Sequence, residues 1–147
     1  MIKEQVYRKC LDILNARIDK YKGELEIIKE SIENNDKASS DEEGGGTTDF
    51  TSAQNKVVQY LEEANQMKDQ LKQVDIFQTN EVVKIGSIIE TSMGNFFLSI
   101  PLGKIELDGK MFFAISKEAP VGQLLLDKQV GDTVTFNNNN FTIKVIH

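Results

Sequence analysis

At 147 residues the chain can form one compact domain or two small units, and its 39% hydrophobic and 27% charged content is that of a soluble globular protein. A formal net charge of −6 argues against free nucleic acid as a direct partner, because phosphate binding needs a surplus of Lys and Arg. Cys10 is the only cysteine, which excludes an internal disulfide or a cysteine metal cluster, and no apolar run approaches the ~20 residues of a membrane span.

The opening residues, MIKEQVYRKC, carry charge throughout and lack the apolar centre of a signal peptide, so the expected location is cytoplasmic. From Ile2 the apolar residues fall at Val6, Cys10, Ile13, Tyr21, Leu25, Ile28 and Ile32, in steps of three and four that make one helical stripe, with Ile18 bridging the gap at Arg17. No proline precedes Pro101, so the first helix is expected to run to the Asn34-Asn35-Asp36 cluster. A second stripe, Val57, Leu61, Ala64, Met67, Leu71 and Val74, follows a start placed at Thr51 or Ser52, whose hydroxyls can cap free amides. Neither stripe has a local partner except the other. The expectation is an antiparallel two-helix coiled coil over 1–75, with 35–50 as its tip and Val57 paired with Ile28.

That tip concentrates the acidity. Residues 1–75 hold 11 Lys/Arg against 16 Asp/Glu, residues 76–147 hold 6 against 7, and within 30–50 there are seven acids and one base. Asp41, Glu42 and Glu43 run directly into Gly44, Gly45 and Gly46, and Asp49 then precedes Phe50. A solvated connector is the ordinary reading of such a run. A working tip is the alternative, and the second half of the chain bears on the choice.

From Val82 the runs VVKIGSII, NFFLSI, GKIEL, MFFAIS, DTVTF and FTIKVI read as short strands separated by Gly, Asn and Asp. Gly94-Asn95, Asp108-Gly109 and the Asn137 to Asn140 run are hairpin signals, since these residues accept positive φ. Residues 119–129 form the one helical piece, with Pro120 suited to its first turn. The fold class is therefore α+β, with an antiparallel β-rich domain over 76–147. Its phenylalanines, Phe96, Phe97, Phe112, Phe113, Phe136 and Phe141, are expected in the core rather than around a pocket. His147 is the only histidine and stands last, where disorder is expected, and no nucleophile, P-loop or dinucleotide motif occurs.

Residues 116–136, SKEAPVGQLLLDKQVGDTVTF, resemble the carboxy-terminal signature of bacterial Gre-type transcript-cleavage factors. In that family a Ser-Pro-Ile-like turn opens a short helix ending in Gly-Lys, followed by Gly-Asp and a strand. Here Ala119-Pro120-Val121, Leu124-Leu125-Leu126, Asp127-Lys128 and Val130-Gly131-Asp132 correspond, and Asp127 stands where the family has glycine. The resemblance implies an amino-terminal coiled coil and an FKBP-like carboxy-terminal domain. It further implies an elongation regulator that binds RNA polymerase through its secondary channel and is not itself an enzyme. The tip acids Asp41, Glu42 and Glu43 would then serve cleavage by the polymerase, with Asp41 and Glu43 helping to hold a shared Mg²⁺ only in that complex. Asp49, Phe50, Pro120, Val121 and Lys128 are the implied partner contacts, with no cofactor of its own, no membrane and a monomeric state expected. The family tip carries two acids three residues apart, whereas Asp41 is followed at that spacing by Gly44, which weakens the expectation of cleavage. Channel binding without cleavage stays open, as do an FKBP-like chaperone or prolyl isomerase and a coiled-coil adaptor that dimerises through the helices.

Overall fold

The computed structural model describes residues 2–38 and 45–147, with side chains described outside 34–38 and 45–50. Two long helices, α1 (Ile2–Ala38) and α2 (Gly45–Lys72), precede six strands, β1 (Ile88–Thr91), β2 (Gly94–Leu98), β3 (Gly103–Leu107), β4 (Lys110–Ile115), β5 (Thr133–Phe136) and β6 (Asn139–Ile146). A short helix, α3 (Pro120–Leu125), lies between β4 and β5. The chain divides into two compact units, Ile13–Gln66 on one side and Met1–Asp12 with Met67–His147 on the other. Among the described residues no helix is long and apolar enough to cross a membrane.

The first of these units is a helical hairpin. Its buried positions, Leu14, Ile18, Val57 and Ala64, fall on the sequence stripes, with Leu14 taking the buried place expected of Ile13. Tyr21 and Tyr60 stack with ring centroids 5.8 Å apart. Pairing Val57 with Ile28 sets Tyr21 beside Ala64, and Tyr60 lies one turn away on the same face, so the register agrees to within a turn. At 1.5 Å per residue the 37 residues of α1 extend about 55 Å. Both helices take more of the 35–50 segment than the sequence suggests. The first continues past the Asn34-Asn35-Asp36 cluster to Ala38, and the second starts at Gly45, which places Thr51 and Ser52 inside it. Extending an existing helix adds one hydrogen bond per residue fixed, and glycine is tolerated at a helix start, so neither cluster breaks the structure.

In the second unit Val6, Cys10 and Leu71 are fully buried. Burial pushes the Cys10 thiol up to about 12, so it stays protonated and inert. Lys3 is also buried, and its Nζ donates to the carbonyl oxygen of Gln78. Desolvation lowers the Lys3 pKa, with the nearby Asp75 carboxylate opposing.

The six strands form one sheet in the order β3-β4-β2-β1-β6-β5. Four neighbouring pairs are antiparallel and β2–β4 is parallel, a departure from the all-antiparallel expectation. The register places Ile88, Phe97, Ala114, Phe112 and Ile105 on one face, all buried. Ile89, Leu98, Val134, Phe141 and Ile143 form a second core with Val83 and with Leu125 of α3. Of the VVKIGSII run only the end is strand. Gly86 has φ +95° and Val82 makes a single bridge to Gln129, so the chain turns before pairing begins.

Turn chemistry explains the hairpins. Asp108 (φ 50°) with Gly109 (φ 79°), and Asn137 (φ 51°) with Asn138 (φ 65°), have the two consecutive positive angles of type I′ turns. The β1–β2 loop is instead Ser92-Met93, because Thr91 pairs with Gly94. Thr91 Oγ1 donates to the Gly94 carbonyl at 2.6 Å and accepts from the Met93 amide at 3.2 Å, doing in side-chain atoms what a glycine would do in backbone freedom. His147 is ordered: its main chain exchanges hydrogen bonds with Ile88, and its Nε2 lies 3.2 Å from Glu90 Oε2.

Gly122 in α3 is buried, and a Cβ there would stand 2.1 Å from the Ser116 carbonyl oxygen and 3.2 Å from Lys117 Cα. Backbone on the other side leaves no room to yield. Gly122→Ala is expected to cost about 2–3 kcal/mol, the scale of an overpacked site, as read by chemical denaturation.

Candidate functional site

Two places carry the functional reading, the acidic connection of the hairpin and the region around α3. Asp41, Glu42 and Glu43 lie outside the described residues. Asp49 and Phe50 fall within α2, and their side chains are likewise outside the description. Among the described residues there is no group of three or more His, Cys, Asp or Glu placed to hold a metal ion.

The 116–136 segment folds as a turn, a helix, a second turn and a strand. Ala119, extended at φ −64° and ψ 148°, precedes α3, and Pro120 occupies its start, where a missing N–H costs nothing. The Ala119 amide is itself held by the Ser116 carbonyl at 3.2 Å. After Leu125 the chain leaves the helix, and Asp127 adopts φ 67°. That left-handed angle is the physical reason a glycine suits this position. Asp127 is one of the few other residue types that accept it, and its amide donates to the Val83 carbonyl at 2.9 Å. Lys84 Nζ meets its carboxylate at 2.5 Å, an ion pair exposed on both sides and so of little weight for stability. Lys128 follows with its amide held by the Leu125 carbonyl at 3.1 Å, its carbonyl accepting from the Val83 amide at 2.8 Å, and its side chain exposed. The structure thus gathers Pro120, Val121 and Lys128 on one short stretch, with Pro120 and Lys128 facing water and Val121 half-buried.

Val121 also opens onto something the sequence reading set aside in favour of core packing. It borders a pocket of about 310 Å³ walled by Phe96, Phe113, Phe136 and Phe141, with Met93 and two asparagines, Asn137 and Asn139, at its edges. Phe96 is the central ring, 6.0 Å from Phe113 and 6.1 Å from Phe141 between centroids. The expectation of six core phenylalanines holds for Phe97 and Phe112, both fully buried, and for Phe141, 4% exposed, whereas Phe113 is 39% exposed and Phe96 and Phe136 are half-buried. The signal was present in the doublets Phe96-Phe97 and Phe112-Phe113. Adjacent residues of a strand point to opposite faces, so each doublet must send one ring to either side of the sheet.

A scan of protein-family models finds no match to this sequence, and neither does a search of curated protein sequences. Among solved structures, the chain is similar to that of the transcription factor Gfh1, with 17% identity, a TM-score of 0.40, and coverage of 95% of this chain and 94% of that one. It is similar also to GreA factor homolog 1 of Thermus thermophilus (18% identity, TM-score 0.36, 92% and 93% covered). The Gfh1 of Thermus aquaticus gives 18% identity and a TM-score of 0.38, with 95% of each chain covered. At such low identity and superposition score, the likeness assigns neither family nor activity.

The two rings of a doublet should differ sharply in what they contribute. Phe97→Ala is expected to destabilise the protein by about 3–5 kcal/mol, because a fully buried ring leaves a cavity. Phe113→Ala is expected to cost about 1 kcal/mol or less, since that ring already meets water. Thermal and denaturant melts of the two variants read the difference.

Proposed function

We propose that the protein is a Gre-like regulator of transcription elongation that binds bacterial RNA polymerase through its secondary channel. The observation that carries this reading is that the signature-like segment 116–136 folds as a proline-opened helix, a left-handed residue at Asp127 and a following strand, in the same chain as a long helical hairpin whose connection is acidic. The β-rich part, which the resemblance makes FKBP-like, would supply docking, with Pro120, Val121 and Lys128 in contact with the polymerase. Asp41, Glu42 and Glu43 would be the working acids, with Asp49 and Phe50 as further contacts of the hairpin's end.

Carboxylates are the donors Mg²⁺ accepts, usually one or two beside phosphate oxygens and water, so Asp41 and Glu43 suit a shared ion by chemistry. Such an ion supplies a hydroxide nucleophile near neutral pH when bound, and the rest of its ligands would have to come from polymerase and RNA. What the chain itself would bring is position: a hairpin delivers two or three acids to a site that another protein completes. In this reading it is an accessory factor, at most stimulating the polymerase's own RNA cleavage, and it acts as a cytoplasmic monomer. The glycines beside the acids favour channel binding over efficient cleavage, because catalysis needs groups held within about half an ångström.

Two variants of the full chain separate docking from action. Replacing Asp41, Glu42 and Glu43 together with Ala is expected to leave polymerase pull-down and melting temperature nearly unchanged, because in this reading the acids act on the polymerase and not in folding. The same variant should alter transcript cleavage or elongation in a defined transcription assay. Lys128→Glu should instead weaken the pull-down. Absence of any polymerase binding by the unmodified protein at moderate salt would sink the reading.

A further inference from the structure

β3 is an end strand of the sheet, with β4 on one side and no strand on the other. Its register with β4 fixes which backbone groups that open side presents. Leu107 and Lys110 flank the two-residue turn at Asp108-Gly109, so they form a hydrogen-bonded pair, and Ile105–Phe112 and Gly103–Ala114 follow at every second residue. The other side of β4 agrees. There the Ile115 carbonyl accepts from the Ser99 amide at 2.8 Å, beyond the end of β2, which leaves Phe112 and Ala114 directed at β3. The amides and carbonyls of Lys104 and Glu106 therefore point away from β4, into the open edge.

The side chains of these two residues stand two positions apart, on one face of the sheet, and both are exposed. Neither has an ion-pair or hydrogen-bond partner among the described residues. Charge on an edge strand, lysine above all, ordinarily guards against a second strand. A guard of one sign repels its own copy. Lys104 with Glu106 does the reverse, because an antiparallel copy brings each charge opposite the other sign. The second end strand, β5, carries no such pair: Thr135 Oγ1 donates to Asn140 Oδ1 at 2.6 Å, and Thr133 Oγ1 lies 3.5 Å from Thr142 Oγ1.

We propose that β3 pairs with β3 of a second copy of this chain, antiparallel about a two-fold axis at Ile105. Lys104 then stands opposite Glu106 of the second copy, and Glu106 opposite its Lys104. Both pairs use outward-facing backbone groups, so the contact makes four main-chain hydrogen bonds and two cross-strand ion pairs. Gly103 faces Leu107 of the second copy without crowding, and Ile105, 1% exposed, stays in its own core. No other register serves. Centring on Lys104 or on Glu106, or pairing the strands in parallel, sets like charges side by side, and a one-residue slip turns the bonding groups of one strand away from the other. The contact is isologous and closes on itself as a dimer. The net charge of −6 is no obstacle here, because residues 76–147 hold 6 Lys/Arg against 7 Asp/Glu and the acidic surplus lies in 1–75. The pairing belongs to the free chain and does not rest on the proposed action of one copy on polymerase.

The test is sedimentation equilibrium of the full chain with amide NMR over a concentration series reaching about 1 mM, the scale of a small contact. Reversible dimerisation is expected, with concentration-dependent shifts centred on the Lys104 and Glu106 amides. Lys104→Glu and Glu106→Lys should each weaken self-association at least about tenfold. The first takes the net charge from −6 to −8 and the second to −4, so overall repulsion cannot explain a loss in both. An equimolar mixture of these two variants should associate again, since every Glu then meets a Lys, and the double swap should pair like the unmodified chain. If one single variant fails to fold, the other single variant and the double swap carry the test. A chain that stays monomeric throughout, single swaps that leave association unchanged, or folded variants that do not restore it when mixed would overturn the proposal. So would association with shifts centred on β5 or on the long helices.

Discussion

Everything in the β-rich part follows from the two-residue period of the pleat acting on paired phenylalanines. Phe96-Phe97 and Phe112-Phe113 lie on β2 and β4, which are hydrogen-bonded neighbours, and the parallel register sets Phe96 beside Phe113. Phe97 and Phe112 therefore go together to one side and are fully buried, each contributing the ~150–250 Å² of apolar area that a large ring removes from water. The other two rings are carried to the opposite side by the same covalent geometry, whatever lies there. A one-residue slip between β2 and β4 would exchange the rings and expose the core, so the register is strongly specified. The half-open aromatic face is the obligatory counterpart of the closed one.

The helical hairpin obeys a different constraint. Each helix has one apolar stripe, and a helix standing alone gains little from propensity, so the pair is stable through mutual burial. That burial is concentrated at Leu14, Ile18, Val57 and Ala64, with the tyrosine contact adding a polar-tipped ring pair. Further along α1, Leu25, Ile28 and Ile32 are only half-buried and Ile27 is 65% exposed, so the apolar seam thins toward the acidic connection.

What could be read from the sequence was whatever local chemistry decides. The helical stripes were legible because steps of three and four need no knowledge of the partner. Asp108-Gly109 and Asn137-Asn138 were legible because both turn residues accept positive φ on their own account. Gly94-Asn95 misled for the complementary reason: the neighbouring loop is made at Ser92-Met93 by a threonine hydroxyl and by the distant Thr142, neither of which is a local backbone preference. The β2–β4 parallel pairing was not legible, since strand order is settled by long-range packing. At the candidate site, the start of α3 at Pro120 was legible from the helix-opening pattern, while the phenylalanines were read as core rather than as walls of a pocket. Composition marks phenylalanine as a core residue, and only the pairing of strands shows which face is left uncovered.

The pocket walls are drawn from across the β-rich part: Met93 and Phe96 at its beginning, Phe113 midway, Val121 on α3, and Phe136 and Phe141 near its end. No hairpin contains them all, and β1 must pair with both β2 and β6 before the first and last of them meet. Closure of the site thus needs the assembled sheet, including pairings between residues far apart in sequence. A molecule that fits it distinguishes the finished sheet from every partly folded form, and mass action then draws the whole sheet toward the folded side when that molecule is abundant. A hollow only one side chain wide is, in this sense, a reporter of completion for the entire β-rich part.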